Sequence, residues 1–120
     1  MIARDLARRL LKAAGQYPVV TLTGPRQSGK TTLVRHLFKD FQYASLEDPE
    51  LRRFAIDDPR GFLAQFGNHV ILDEVQRVPD LFSFIQVMVD EHDLPGQFIL
   101  TGSQNFLLIS SINQSLAGRS

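Results

Sequence analysis

Cysteine is absent from this chain of 120 residues, and the absence excludes two classes of site. Without thiols there is neither a disulfide framework nor a thiolate metal centre. The histidines, His36, His69 and His92, share no spacing that builds a metal site. A chain without cysteine is in keeping with a reducing compartment, and we expect a cytoplasmic protein.

The chain also lacks an excess of charge of either sign, because 13 Lys and Arg residues balance 13 Asp and Glu residues. Net charge therefore gives no support for nucleic acid as a partner, and none for a membrane surface. No segment approaches the ~20 consecutive apolar residues of a membrane span. The N-terminus lacks the uninterrupted apolar core of a signal peptide. With 43% hydrophobic and 22% charged residues, the composition is that of one globular domain with one core.

The segment GPRQSGKT, residues 24–31, has the spacing of a phosphate-binding loop. Such a loop aims backbone N–H groups at phosphates, places a lysine on the outer phosphates and a hydroxyl on Mg²⁺. We predict that Lys30 contacts the phosphates and that Thr31 binds the metal ion. For Arg26, a solvated position at the loop tip is the alternative. The predicted nucleotide-binding residues are Gly24, Pro25, Arg26, Gln27, Ser28, Gly29, Lys30, Thr31 and Thr32.

The segments on either side of the loop agree with this prediction. The β-branched run at 18–23 predicts a buried strand, and the apolar spacing at 31–40 predicts a helix. We expect residues 29–32 to form the first turn of that helix, where free N–H groups and the helix dipole favour an anion.

A second apolar run, HVILD at 69–73, ends in Asp73 and is followed at once by Glu74. A strand buried on both faces delivers its last carboxylate to the carboxyl edge of the sheet, where ligands bind in α/β proteins. We predict that Asp73 holds magnesium through water and that Glu74 polarises the attacking water. The alternative is a strand that ends in a capping acid.

Elsewhere the pattern alternates between strands and helices. We predict helices at 2–14, ended by Gly15, at 49–56, at 59–66 and from Pro79 onwards, and strands at 42–46 and 97–101. The stripe of Arg4, Arg8 and Lys12 on the first helix is interpreted as a solvated face. Asp48 and Asp58 each precede a proline, which is typical of helix caps rather than of catalytic carboxylates.

Polar residues follow the strand at 97–101. Ser103, Gln104 and Asn105 are candidates for contact with a γ-phosphate, with turn formation as the alternative.

Several segments together resemble the N-terminal ATPase domain of a prokaryotic family in the AAA+ superfamily, over nearly the whole chain. They are VVTLTGPRQSGKTTLVRHLF, SLEDPELRRFAIDDPRGFL, HVILDEVQRVPDLFSFIQVMVD, FILTGSQNFLL and SLAGR. The resemblance implies binding of ATP and Mg²⁺ and hydrolysis of ATP. It matches residues 24–31 to Walker A, residues 70–74 to Walker B and residues 103–105 to the sensor-1 position. It also makes Arg119 a candidate arginine sensor or finger, which would act within its own chain or, as a finger, from a neighbouring subunit of a homo-oligomer. The implied catalytic residues are Lys30, Glu74, Ser103, Asn105 and Arg119.

The expected fold is α/β: a three-layer α/β/α P-loop NTPase of the AAA+/RecA-like kind with a mainly parallel sheet. The resemblance places the strand at 18–23 beside that at 97–101, then the strand at 69–73, with that at 42–46 at the edge. We expect one domain over 1–120, with an N-terminal helix at 1–15 and a nucleotide-binding core at 16–120. The resemblance further implies that the sheet is incomplete at its C-terminal end and that a nuclease-like C-terminal domain is missing.

Other nucleotide-dependent classes are weighed on their own motifs. A GTPase would need an Asn-Lys-x-Asp motif and a transporter ATPase a Leu-Ser-Gly-Gly signature, and the sequence has neither. A nucleotide-dependent binding module or regulatory switch with little turnover remains an alternative. So does a P-loop phosphotransferase, although the adjacent Asp73 and Glu74 favour activation of water.

Overall fold

Four parallel strands form the centre of the molecule, and helices cover both faces of the sheet. The computed structural model describes residues 3–24, 29–92 and 94–103. In these ranges the helices are α1 (Ala3–Gln16), α2 (Lys30–Leu37), α3 (Pro49–Asp57), α4 (Pro59–Ala64) and α5 (Leu81–His92). The strands are β1 (Val19–Thr23), β2 (Gln42–Ser45), β3 (Val70–Asp73) and β4 (Phe98–Gly102), and a short 3-10 helix spans Val75–Arg77.

The strand order is β1-β4-β3-β2, and all three pairings are parallel. This confirms the predicted α/β class and the predicted order. Thr23 lies opposite Gly102, and Ser45 lies opposite Asp73. The carboxyl ends of the strands therefore meet at one edge of the sheet, where the loops that follow β1 and β3 come together.

Two apolar cores lie on opposite faces of the sheet. Alternate residues of β3 belong to different cores: Val70 and Leu72 pack in the first and Ile71 in the second. Helices α3, α4 and α5 contribute to the first core, and α1 and α2 to the second. This alternation makes the arrangement a three-layer α/β/α sandwich, because a strand buried on both faces needs a helical layer on each side.

Helix α1 runs further than the sequence predicts. Gly15 does not end it, and the Tyr17 amide still bonds to the Ala13 carbonyl at 2.8 Å. Pro18 gives the physical reason for the end, because the residue before a proline is pushed out of the helical region. Arg4, Arg8 and Lys12 are exposed, which confirms the solvated face.

The two Asp-Pro pairs cap helices as predicted. The Asp48 carboxylate accepts a hydrogen bond from the Glu50 amide at 2.9 Å at the start of α3. The Asp58 carboxylate accepts one from the Gly61 amide at 3.1 Å at the start of α4. These carboxylates satisfy backbone donors at the first turn of each helix, so their role is structural.

The chain after Glu74 differs from the prediction, because α5 begins at Leu81 rather than at Pro79. The amides of Val78, Leu81 and Phe82 each bond to the carbonyl three residues earlier. This tighter winding places Val75 and Val78 on the same side, and both are buried in the first core. Helix α2 is also shorter than predicted and ends at Leu37.

No helix in the described ranges is both long and apolar enough to cross a membrane. Ile2, the first residue of the predicted first helix, lies outside the described residues.

Two glycines offer a matched test of the fold. Gly96 is buried with φ of 66°, and a Cβ there would lie 2.9 Å from the Ala14 carbonyl oxygen of α1. We expect Gly96→Ala to lower the free energy of unfolding by about 1–3 kcal/mol, because it adds backbone strain to a close contact. Gly15→Ala, where a Cβ would meet nothing within 4 Å, should raise it by about 0.5–1 kcal/mol. Urea unfolding of both variants measures this, and equal effects would contradict it.

Candidate functional site

The two ends of the predicted phosphate-binding loop, residues 24–31, lie next to β4 and α2. The Gly24 amide bonds to the Gly102 carbonyl at 3.2 Å, which joins the start of the loop to the end of β4. At the other end Gly29 has φ of 87°, a backbone conformation that favours glycine. Gly29 therefore caps α2 from outside, and Lys30 is the first helical residue. The predicted first turn at 29–32 is wrong by that one residue.

Lys30 lies buried against Glu74, the residue after β3. Its Nζ is 3.8 Å from Glu74 Oε2, and each side chain is 7% exposed. A buried charge is costly unless an opposite charge compensates it, and here each ion compensates the other. The ammonium group is thus held at the edge of the sheet where the phosphate-binding loop ends.

The Asp73 carboxylate, at the end of β3, accepts hydrogen bonds from three hydroxyl groups. Thr31 Oγ1 of α2 donates to Oδ2 at 2.9 Å, and the Tyr43 hydroxyl of β2 donates to the same oxygen at 2.7 Å. Thr101 Oγ1 of β4 donates to Oδ1 at 2.6 Å. Asp73 is only 5% exposed, so these donors replace the water that burial removes.

These contacts decide the charge of Asp73. Burial by itself raises the pKa of the Asp73 carboxyl, but hydrogen bonds from Thr101, Tyr43 and Thr31 outweigh burial, and the pKa lies below its ordinary value of 3.8. Burial and the bond to Asp73 together raise the pKa of Tyr43 to about 12. The pair is therefore a neutral phenol donating to an anionic carboxylate at neutral pH.

Glu74 has an unusual backbone conformation and several side-chain partners. Its φ of 55° makes it the one non-glycine residue with positive φ among those the structure describes. Such a conformation costs about 1–3 kcal/mol and is found most often at functional sites. Glu74 Oε1 accepts hydrogen bonds from Gln76 Nε2 at 2.7 Å and from Ser103 Oγ at 3.0 Å.

The structure brings together most of the predicted site residues that it describes. Lys30, Thr31, Asp73, Glu74 and Ser103 form one connected group, and Gly24 and Gly29 lie at the ends of the loop. Thr32 is exposed in the first turn of α2. The remaining predicted site residues lie outside the described part of the chain: Pro25, Arg26, Gln27, Ser28, Asn105 and Arg119, together with the candidate Gln104.

Sequence reasoning missed three residues of this group: Tyr43, Thr101 and Gln76. Thr101 had a usable signal, because a polar residue near the end of an apolar strand lies at the carboxyl edge. Tyr43 had a weaker one, since an edge strand was predicted there but not which side chain faces Asp73. Gln76 had none, because its contact depends on the left-handed turn at Glu74.

The donor set suits magnesium. Thr31 and Asp73 present hydroxyl and carboxylate oxygens 2.9 Å apart, and Mg²⁺ prefers such oxygen ligands. Mg²⁺ is commonly bound by one or two protein side chains with water and substrate phosphates. Among residues 3–24, 29–92 and 94–103 there is no group of three or more His, Cys, Asp or Glu side chains that could hold a metal ion.

A family model described as an AAA domain matches residues 16–120. The chain belongs to the AAA domain family. This agrees with the resemblance drawn from the motifs and with the parallel sheet.

This AAA domain has longer relatives among curated proteins. It is 42% identical over 119 residues to "Uncharacterized protein Mb2031c" of Mycobacterium bovis and, with the same identity, to "Uncharacterized protein Rv2008c" of Mycobacterium tuberculosis. The match covers 97% of this chain and 26% of each relative. The chain thus spans about a quarter of the length of these relatives.

Solved structures show the same fold at low sequence identity. Domain III of the replication initiation protein DnaA from Thermotoga maritima has a TM-score of 0.68 at 16% identity, covering 100% of this chain and 61% of that one. The Walker-type ATPase PABY2304 of Pyrococcus abyssi has a TM-score of 0.56 at 18% identity, covering 98% of this chain and 51% of that one. The AAA domain therefore has a P-loop NTPase fold.

The hydrogen bonds to Asp73 predict how stability depends on pH. Because the pKa of Asp73 lies below 3.8 in the folded protein, its contribution is present above an unfolded pKa of about 3.9 and is lost as pH falls through the folded value. Asp73→Asn should lower the free energy of unfolding at pH 7 by about 1–3 kcal/mol. The difference from wild type should shrink below about pH 4. Urea unfolding from pH 3 to 7 checks this, and a difference independent of pH would contradict it.

Proposed function

We propose that this AAA domain binds ATP with Mg²⁺ and hydrolyses it, and that it couples this turnover to a partner. The observation that carries the proposal is the 2.9 Å hydrogen bond between Thr31 and Asp73. It joins the first turn after the phosphate-binding loop to the end of β3. A site for a nucleoside triphosphate and a metal ion needs these two elements together.

Each residue of the group has a distinct role in the proposal. The ammonium of Lys30 would contact the outer phosphates. Thr31 directly and Asp73 through water would hold Mg²⁺, which would neutralise phosphate charge. The carboxylate of Glu74 accepts a proton from the attacking water. Ser103 lies 3.0 Å from Glu74 Oε1, so it lies next to the proposed base.

The predicted site residues that lie outside the described ranges have, in this proposal, the roles that the resemblance implies. Arg26, Gln27 and Ser28 would supply further backbone N–H groups of the loop, whereas Pro25 has no N–H to donate. Asn105 acts at the sensor-1 position with Ser103. Arg119 acts as an arginine sensor or finger, in the second case from a neighbouring copy in a homo-oligomer.

One observation favours a second candidate, a nucleotide-dependent switch with little turnover of its own. Lys30, Gln76 and Ser103 all contact the Glu74 carboxylate, which is buried. A base in this arrangement is less available to water, and a partner that rearranged these contacts would then raise the rate of ATP hydrolysis.

A P-loop phosphotransferase is a further alternative. Release of inorganic phosphate without an added acceptor would distinguish hydrolysis from phosphoryl transfer to a substrate.

Lys30 tests nucleotide binding. We expect Lys30→Ala to reduce the affinity for Mg-ATP by at least about 10²-fold, because a buried cation on the outer phosphates is lost. Lys12→Ala is the matched control, because Lys12 is exposed on α1 and lies outside the site. Titration calorimetry with ATP and with GTP measures both variants. Unchanged affinity of Lys30→Ala for ATP would contradict the phosphate-binding role of residues 24–31.

Glu74 tests turnover. We expect Glu74→Gln to leave ATP affinity nearly unchanged and to lower the hydrolysis rate by ~10²-fold or more, the usual scale for loss of a general base. Glu91→Gln, an exposed change on α5, is the control. Phosphate release at saturating ATP measures the rate. Equal rates for Glu74→Gln and wild type would assign the proton transfer to another group.

A further inference from the structure

Tyr43 connects the edge strand β2 to the centre of the site. It lies on β2, two residues before Ser45, which pairs with Asp73 of β3. Its hydroxyl donates to Asp73 Oδ2 at 2.7 Å, across the gap between the two strands. We propose that Tyr43 is a positioning residue that orients the Asp73 carboxylate for Mg²⁺ and thereby sets the metal-dependent part of nucleotide affinity. This inference rests on the proposed function.

Both oxygens of the Asp73 carboxylate accept hydrogen bonds from hydroxyl groups. Thr31 and Tyr43 both donate to Oδ2, whereas Thr101 donates to Oδ1. Thr31 is also assigned to the metal ion, so it is not a fixed donor to the carboxylate. Tyr43 and Thr101 lie on the two strands that flank β3, and they have no other role in the site. One hydroxyl on each oxygen, from opposite sides of the strand, holds the carboxylate against rotation.

The Tyr43 ring is held in place by its contacts with neighbouring side chains. The Arg35 guanidinium of α2 lies over the ring, with Cζ 4.1 Å from the centroid. The ring also packs at the border of the second core. A ring held between a cation and apolar side chains has few rotamers open to it, so its hydroxyl is delivered to Asp73 at little entropic cost.

The hydroxyl group of Tyr43 is not required for the packing of its ring. Phenylalanine would fill the same space and keep the contact with Arg35, yet the polar atom is directed at a carboxylate that is only 5% exposed. A hydrogen bond to a buried anion contributes more than one to a neutral group. The hydroxyl therefore acts on the charge and orientation of Asp73 rather than on the shape of the core.

The test compares Tyr43→Phe with Tyr17→Phe, a control at the only other tyrosine, which is exposed and lies outside the site. The affinity for a slowly hydrolysed ATP analogue is measured by calorimetry in EDTA and again across a magnesium titration. We expect the affinity of Tyr43→Phe in EDTA to equal that of wild type. Its gain in affinity on adding Mg²⁺ should be smaller by about 10-fold, the scale seen when a residue that orients a metal ligand is removed. Tyr17→Phe should show the full gain.

A donor at the same place should restore the gain. We expect 4-aminophenylalanine at position 43, which keeps an N–H donor on the ring, to recover most of the magnesium-dependent affinity. This measurement stands even if the phenylalanine variant does not fold, because loss of the gain in a folded 4-aminophenylalanine protein would overturn the proposal. So would a Tyr43→Phe protein with a lower unfolding midpoint and the full gain, since Tyr43 would then have only a structural role.

The outcomes also separate this inference from the proposed function. A wild-type protein with no nucleotide affinity would remove both. A wild-type protein that gains affinity with Mg²⁺, together with a Tyr43→Phe protein that gains the same, would leave the proposed function standing and overturn the inference alone.

Discussion

The Asp73 carboxylate accepts a hydrogen bond from a hydroxyl group on each of three elements, and the geometry of the candidate site depends on these bonds. Thr31, Tyr43 and Thr101 come from α2, β2 and β4, respectively. Burial alone would favour the protonated acid, so the hydrogen bonds from the hydroxyl groups keep the buried carboxylate ionised. The bond from Thr31 also joins the first turn of α2 to the end of β3.

Glu74, the next residue along the chain, has a different environment from Asp73. Its carboxylate is paired with a lysine, and its backbone is held in a strained left-handed turn rather than in a strand. Val75 of the 3-10 helix and Val78, the residue after it, are both buried, and this burial offsets the cost of the turn. Two adjacent acids thus differ in environment, one stabilised by neutral hydroxyls and one by a cation. Such a difference allows two acids of like charge to have separate chemical roles.

The sequence was sufficient for the features that depend on local pattern. The acid at the end of β3 and the two Asp-Pro caps each lie within a few consecutive residues, and their positions were confirmed. The phosphate-binding role of residues 24–31 stays a prediction. The strand order came from the resemblance. Tyr43 and Thr101 could not be assigned to Asp73, because their contacts depend on the register between strands and on the reach of a side chain. Gln76 could not be assigned either, since nothing in the pattern indicates that Glu74 adopts a positive φ. The predicted start of α5 was also wrong, because nothing in the pattern indicates the tighter winding that follows Glu74.

The parallel sheet has a consequence for how the molecule reaches this state. Val19 of β1 pairs with Phe98 of β4, so the two partners lie near opposite ends of the described chain. Closing so large a loop is slow compared with forming local structure, because its entropic cost comes before any contact compensates it. During synthesis the loop at 24–31 leaves the ribosome before β4 does, and until β4 follows Gly24 has no Gly102 carbonyl to bond. The candidate site is therefore complete only when β4 has joined the sheet, although the residues of the motif lie far earlier in the chain.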